Sequence, residues 1–178
     1  MKYNYVACYE KVSGGLRAKP KLLTGIRVFN KACTLLFFAV YGAFLLYAVL
    51  DDFHPIDLMK IIGAPALCLL VVTVLRHAIN RPRPYSEQGA KIVPLHEKKT
   101  QDKSFPSRHS ASAFVIAVTL LPYAIWLGVP LLLLACLLAF TRFALGLHYP
   151  SDLLAGFAVG NIVAGLYFLL QYIVLNVM

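Results

Sequence analysis

Three short clusters carry most of the reactive side chains of this chain. The first is Arg76-His-Ala-Ile-Asn-Arg-Pro-Arg83-Pro84, and the second is Phe105-Pro106-Ser107-Arg108-His109-Ser110. The third is Thr141-Arg142, followed after five residues by His148-Tyr149-Pro150-Ser151-Asp152. Arginine holds a permanent charge and a planar fork of donors that fits phosphate oxygens. Arg76, Arg83 and Arg142 can therefore neutralise the equatorial oxygens of a transferring phosphoryl group. Arg142 is the most telling, because it lies inside an apolar run, where a charge is costly and marks a functional site by default. Ser107 and the backbone N–H groups that follow it add donors at a positive helix end. His148 and Asp152 stand four residues apart around a helix start, with Pro150 suited to the first turn. That spacing lets a carboxylate hold an imidazole in one tautomer. An oriented neutral imidazole is a competent nucleophile, which leaves His109 as general acid for the leaving oxygen.

Taken singly, each cluster has a plainer reading. Arg76 to Arg83 is an ordinary basic juxtamembrane stretch, a lone Ser-Arg-His carries no message, and His148 with Asp152 is a helix cap. Arg142 alone is a side chain that snorkels from near a helix end. The conjunction is what points to chemistry: three arginines, two histidines, a serine and an aspartate expected at helix ends on one face.

The elements that must position them are membrane helices. Of the 178 residues, 60% are hydrophobic and 14% charged, against about half and about a quarter in a soluble domain. A span needs roughly 20 mostly apolar residues. The runs that qualify are Ala32 to Leu50, Ile56 to Leu75, Ser110 to Leu127 with Pro122 as a kink, Val129 to Leu147, and Leu153 to Val177. The expected fold is all-α: one integral membrane bundle over residues 1–178, with five transmembrane helices. Residues 1–31 form a basic amphipathic segment lying on the membrane, its Tyr3, Tyr5 and Tyr9 suited to the interface. Residues 76–108 form the active-site loop, Lys60 snorkels, and Gly128 makes a tight turn before Pro130. The cysteines, Cys8, Cys33, Cys68 and Cys136, show no C-x-x-C spacing, so they suggest neither zinc nor a redox pair. The N-terminus does not read as a secretory signal peptide.

The net charge of +9 fits anionic headgroups, an anionic substrate, or both. No nucleic-acid module is visible. The spacings in the three clusters resemble those of the type 2 phosphatidic acid phosphatase superfamily, the lipid phosphate phosphatases. Its signature reads K-x6-R-P, then P-S-G-H, then S-R-x5-H-x3-D. Here the elements are Arg76-x6-Arg83-Pro84, Pro106-Ser107-Arg108-His109 and Thr141-Arg142-x5-His148-x3-Asp152. Arginine replaces lysine in the first, arginine replaces glycine in the second, and threonine replaces serine in the third. The likeness covers about Ile56 to Gly160. It implies that Arg76, Arg83 and Arg142 bind phosphate with Ser107 and the Arg108 backbone. It also implies that His148 is the nucleophile oriented by Asp152, and that His109 protonates the leaving group and then activates water. It implies no metal and no cofactor.

The activity so implied is metal-independent hydrolysis of a lipid phosphate or diphosphate through a phosphohistidine. Undecaprenyl diphosphate, phosphatidylglycerol phosphate and phosphatidic acid are the substrates to weigh, and the first is favoured by resemblance. The alternatives are a phosphotransferase that uses the same histidine, and a non-catalytic lipid-binding or transport protein. Gly156 and Gly160 offer a G-x-x-x-G either to a homodimer or to close packing within the chain. Sidedness is contested. Seven Lys and Arg residues precede Ala32 on the active-site face, which the positive-inside rule places in the cytoplasm. The resemblance places the same face outside the cell membrane, and that is the side taken.

Overall fold

The computed structural model describes residues 2–96 and 103–177. The side chain of Tyr3 and residues 97–102 of the expected active-site loop lie outside the described set. All regular structure among the described residues is helical: α1 (Lys2–Arg17), α2 (Pro20–Leu50), α3 (Pro55–Ile79), α4 (Arg108–Leu120), α5 (Ile125–Ala144) and α6 (Pro150–Val177). Proline opens α2, α3 and α6, where its missing N–H costs nothing and its fixed φ suits the first turn.

The helices α2, α3, α5 and α6 are long and apolar enough to cross a membrane. Their outward faces expose Leu46, Leu50, Leu70, Leu133, Phe140, Leu154 and Leu170. Such bands are stable against lipid rather than water, and the chain is a multi-pass membrane protein. The expected fifth full-length span is corrected. Helix α4 has 13 residues, about 20 Å of helix, and stops at Leu120 because Pro122 disfavours helix in the residue before it. It survives as a short helix because α3, α5 and α6 surround it and bury Ala111, Phe114, Val115, Ala117 and Leu120. It still joins the two ends of the bundle. Ser107 at its start donates its N–H to the Asp152 carbonyl at 3.0 Å. Tyr123, just past its end, donates to Asp57 Oδ1 at 2.9 Å.

Other boundaries move for local reasons. Helix α5 starts at Ile125 and ends at Ala144, so Gly128 and Pro130 lie inside it rather than in a turn before it. Gly128 is needed for close approach, since a Cβ there would stand 2.9 Å from Leu121 Cα. The N-terminal segment is two pieces, α1 and the first turns of α2. Tyr5 and Tyr9 are buried rather than interfacial. They pack with Ile92 and Tyr149, because α1 folds over the loop after α3. Tyr9 Oη donates to the Val93 carbonyl at 2.9 Å, Arg17 donates to the same carbonyl at 3.0 Å, and Arg27 donates to the carbonyl of Leu95. Lys60 pairs with Asp57, in the first turn of α3, at 3.1 Å. The Gly156/Gly160 stripe is engaged within the chain: a Cβ at either would stand 2.8 Å from a carbonyl oxygen of α4 or its cap, Ser107 or Ala111.

Candidate active site

The ends of α3 and α5 and the starts of α4 and α6 meet at one end of the bundle. Each delivers part of one sequence cluster. Helix α5 closes in a Schellman motif: Leu147 donates its N–H to the Arg142 carbonyl at 3.0 Å and Gly146 to that of Phe143 at 2.9 Å. Gly146 sits at the left-handed position, φ +75°, which glycine takes without strain. This reversal explains the spacing from Arg142 to His148. The arginine lies in the last turn, and the chain folds back at once to set the histidine beside it.

Helix α6 then begins at Pro150. Asp152, at its third position, accepts the Tyr149 backbone N–H on Oδ2 at 3.0 Å, as a capping carboxylate does. The same oxygen lies 3.4 Å from His148 Nδ1. That contact is long, and Nδ1 makes no aligned hydrogen bond among the described residues. Both side chains are buried, His148 2% exposed and Asp152 0%. On the other edge of the ring, Arg83 Nη1 is 3.5 Å from Nε2 and 3.1 Å from the Leu147 carbonyl. Burial pushes the His148 imidazole down to about 4, the cations of Arg83 and Arg142 push the same way, and Asp152 opposes them. The ring is therefore neutral at physiological pH, with Nδ1 facing the carboxylate and Nε2 facing Arg83.

Arg76, Arg83 and Arg142 are all buried. Their surroundings differ. Arg142 reaches Thr34 Oγ1 of α2 at 3.2 Å, and its Nε is buried with no partner among the described residues. Arg83 faces His148. Arg76 donates to the Pro106 carbonyl at 3.0 Å and to the carbonyls of Ser104 and Lys103, so it anchors the segment that leads into α4. Ser107 is fully buried and caps α4, its Oγ accepting from the Ser110 N–H at 3.4 Å. Arg108 is exposed, unlike the other three arginines. It shares with the half-buried His109 the wall of an apolar cavity of about 190 Å³, lined by Phe37, Phe38, Leu69, Ile116 and Leu138. His109 thus stands at the border of a greasy space between helices. Its helix is pinned to α6 by the Ser107–Asp152 bond and by Ser110 Oγ, which donates to the Leu153 carbonyl at 3.0 Å.

Sequence reasoning missed several residues of this end. Arg81 binds Asp152, Thr34 and Asn30 of α2 reach Arg142 and Thr141, and Gly146 makes the reversal. Only Gly146 had a readable signal, a glycine just past an apolar run.

The family model described as the PAP2 superfamily matches residues 57–174. The chain belongs to the PAP2 superfamily. Among PAP2 relatives, the putative undecaprenyl-diphosphatase YbjG of Escherichia coli (strain K12) is 36% identical over 105 residues, 58% of this chain and 52% of that protein. The lipid A 4'-phosphatase of Bacteroides thetaiotaomicron is 30% identical over 140 residues, 73% of this chain and 62% of that protein. The chain thus spans between half and two thirds of the length of these relatives. The crystal structure of Aquifex aeolicus LpxE shares the fold at a TM-score of 0.71 and 23% identity, covering 92% of this chain and 93% of that one.

Proposed function

We propose that the chain is a PAP2 phosphatase that hydrolyses a lipid phosphate or diphosphate through a phosphohistidine on His148. The observation that carries this is the charge balance of the buried site. Arg76, Arg83 and Arg142 are buried at this end of the bundle against one buried carboxylate among the described residues, Asp152, and Arg83 reaches the neutral His148 imidazole. Burying a cation costs several kcal/mol of order. A pocket with that surplus is built for an anion, and the arginines supply the charge that a metal would otherwise provide.

His148 Nε2 attacks phosphorus in line with the leaving oxygen, while Asp152 steadies the Nδ1–H that becomes part of an imidazolium-like phosphohistidine. Arg83, Arg142 and the α4 N-terminus with Ser107 take the charge on the equatorial oxygens, and Arg76 holds that N-terminus in place. His109 gives a proton to the departing oxygen, which belongs to the lipid alcohol of a monophosphate or to the lipid phosphate of a diphosphate. It then removes one from the water that attacks phosphorus and frees His148. A lipid tail seated in the apolar cavity beside His109 would lie next to the proton donor, and that cavity supports a lipid leaving group over a soluble one. Arg108, exposed on the cavity wall, contacts the headgroup.

The substrate favoured is undecaprenyl diphosphate, in keeping with the similarity to the putative undecaprenyl-diphosphatase of Escherichia coli, and the site faces the outside of the cell membrane. Residues 1–178 act as one unit, because α1 packs against the loop beside the site. The test is phosphate release by the purified protein in detergent from undecaprenyl diphosphate, phosphatidylglycerol phosphate and phosphatidic acid. Fastest turnover of the isoprenoid diphosphate is expected. Release from none of them, by a protein that binds them, would leave a lipid-binding role instead.

A further inference from the structure

Arg81 lies between two residues of the phosphate cluster, yet it points at a different partner. Its Nη1 donates to Asp152 Oδ1 at 2.9 Å and to Ser151 Oγ at 2.7 Å. The guanidinium carbon stands 4.1 Å from the centre of the Tyr149 ring, within cation–π range. The Tyr149 ring is backed by Tyr5 of α1 at 4.7 Å, and Tyr5 is itself held by Tyr9 and Phe143. A chain of contacts therefore runs from the N-terminal helix through two aromatic rings and an arginine to the carboxylate beside His148.

We propose that Arg81 is a positioning residue: it fixes the Asp152 carboxylate so that one oxygen stays turned to His148, and the Tyr149–Tyr5 ring pair fixes Arg81. The inference rests on the reading of His148 as nucleophile. Asp152 has two oxygens and several suitors. Oδ1 is taken by Arg81, while Oδ2 takes the Tyr149 N–H and faces His148 Nδ1. With Oδ1 tied, the carboxylate cannot rotate about its last bond, and the long 3.4 Å contact to the imidazole has one direction in which to tighten during attack. Arg83 approaches the opposite edge of the same imidazole. The Arg81-Pro82-Arg83 sequence thus gives one arginine to the orienting carboxylate and the next to the nucleophile's reactive edge.

Charge gives the same pairing a second effect. The groups that face Asp152 are Arg81 from the loop, His148 and Tyr149 before α6, and Tyr5 from α1, with the Ser107 N–H on its backbone from the α4 side. Those that face His148 are Asp152, Arg83 from the loop and Arg142 from α5. Arg81 is the cation that offsets the Asp152 charge. Without it, the carboxylate acts on His148 undiluted and favours the protonated ring, which cannot attack.

The test compares Arg81→Gln, Arg81→Lys, Tyr149→Leu and His148→Ala in the full chain, purified in detergent, with the lipid phosphate that the wild type turns over best. For Arg81→Gln, kcat should fall about 10–100-fold, the usual scale for loss of a group that orients a reactive one, with KM within about threefold. The acid limb of its kcat/KM profile should move to higher pH, since that limb reports the free enzyme's base. Arg81→Lys should recover most of kcat and restore the limb. Tyr149→Leu, which keeps the backbone N–H and the arginine, should show a smaller loss with the limb moved the same way. A raised KM with kcat and pH profile unchanged in Arg81→Gln would make Arg81 a substrate ligand and overturn the inference. So would wild-type behaviour of Tyr149→Leu, which decides the matter should Arg81→Gln not fold. Activity in His148→Ala would instead remove the nucleophile reading itself.

Discussion

Replacing Arg142 by Met should make the substrate-free protein more stable and the enzyme nearly inactive. The guanidinium is 5% exposed, its Nε is unpartnered among the described residues, and the Arg83 charge repels it. The unbranched Met side chain fills much of the same space without the charge. Exchange of buried ionic groups for well-packed apolar ones often stabilises by about 1–4 kcal/mol. The loss of the Thr34 contact, about 1 kcal/mol for an ordinary hydrogen bond, offsets part of that. A net gain of about 1 kcal/mol corresponds to a rise in Tm of roughly 2–4 °C for a protein of this size. Catalysis moves the other way. Truncating one partner of a buried, charged contact costs about 2–5 kcal/mol, so kcat/KM should drop by about 30-fold to several thousandfold at about 1.4 kcal/mol per decade. Thermal melts in detergent, with and without vanadate, and steady-state kinetics on one lipid phosphate read both effects. Vanadate should raise the Tm of the wild type, by mass action on the folded state, and leave the variant unmoved. A variant that melts earlier than wild type while keeping its kcat/KM within threefold would show that Arg142 serves the fold and not the phosphate.

Gly146→Ala should lose about 1–2 kcal/mol for the left-handed backbone alone, and its new Cβ would stand 2.7 Å from Tyr9 Oη. Chemical denaturation should show that loss, with part of it recovered in the Gly146→Ala/Tyr9→Phe pair. The depressed His148 imidazole sets the acid side of the pH profile. The neutral nucleophile persists well below the ordinary histidine range and is lost only as the pH nears about 4, so kcat/KM of the free enzyme should hold between pH 6.5 and 5; a decline centred near 6.5 would contradict the burial. Stability should fall over the same window as the pH is lowered, because the unfolded histidine takes up its proton near pH 6.5 and the folded one does not. Turnover should survive excess EDTA, since arginines supply the charge; loss on chelation with recovery on adding magnesium would contradict that. Single cysteines at Gln88 and Asp51, at opposite ends of the bundle and in a background lacking the native four, should label from outside intact cells at Gln88 only.

Much of this site was legible because it is written in spacing. The interval from Arg142 to His148 encodes a Schellman reversal, and the interval from His148 to Asp152 encodes a capped first turn. The extra contacts were not legible because they join residues far apart in the chain. Nothing local marks Thr34 as the partner of Arg142, more than a hundred residues away. Arg81 sat inside a run of basic residues that all looked alike, and only the fold separates the one that meets the Asp152 carboxylate from Arg76, which meets backbone carbonyls, and Arg83, which meets His148. The bundle was read well where apolar runs were long and badly where proline and glycine punctuate them. Pro122 ended a helix instead of kinking it, while Gly128 and Pro130 were absorbed into one. Tyrosine at an expected interface was ambiguous by nature, since an amphipathic ring suits a protein groove as well as a headgroup layer.

The central claim is that His148, and not His109, takes the phosphoryl group. The direct measurement is an alkaline-quenched mass spectrum of His109→Ala after exposure to p-nitrophenyl phosphate, whose leaving group needs little protonation. Attack should proceed while hydrolysis stalls for want of a base. The account predicts one phosphate per chain, carried on the peptide that contains His148, and none in His109→Ala/His148→Ala. Phosphate on His109 of the wild type, or turnover by His148→Ala at the wild-type rate, would contradict it.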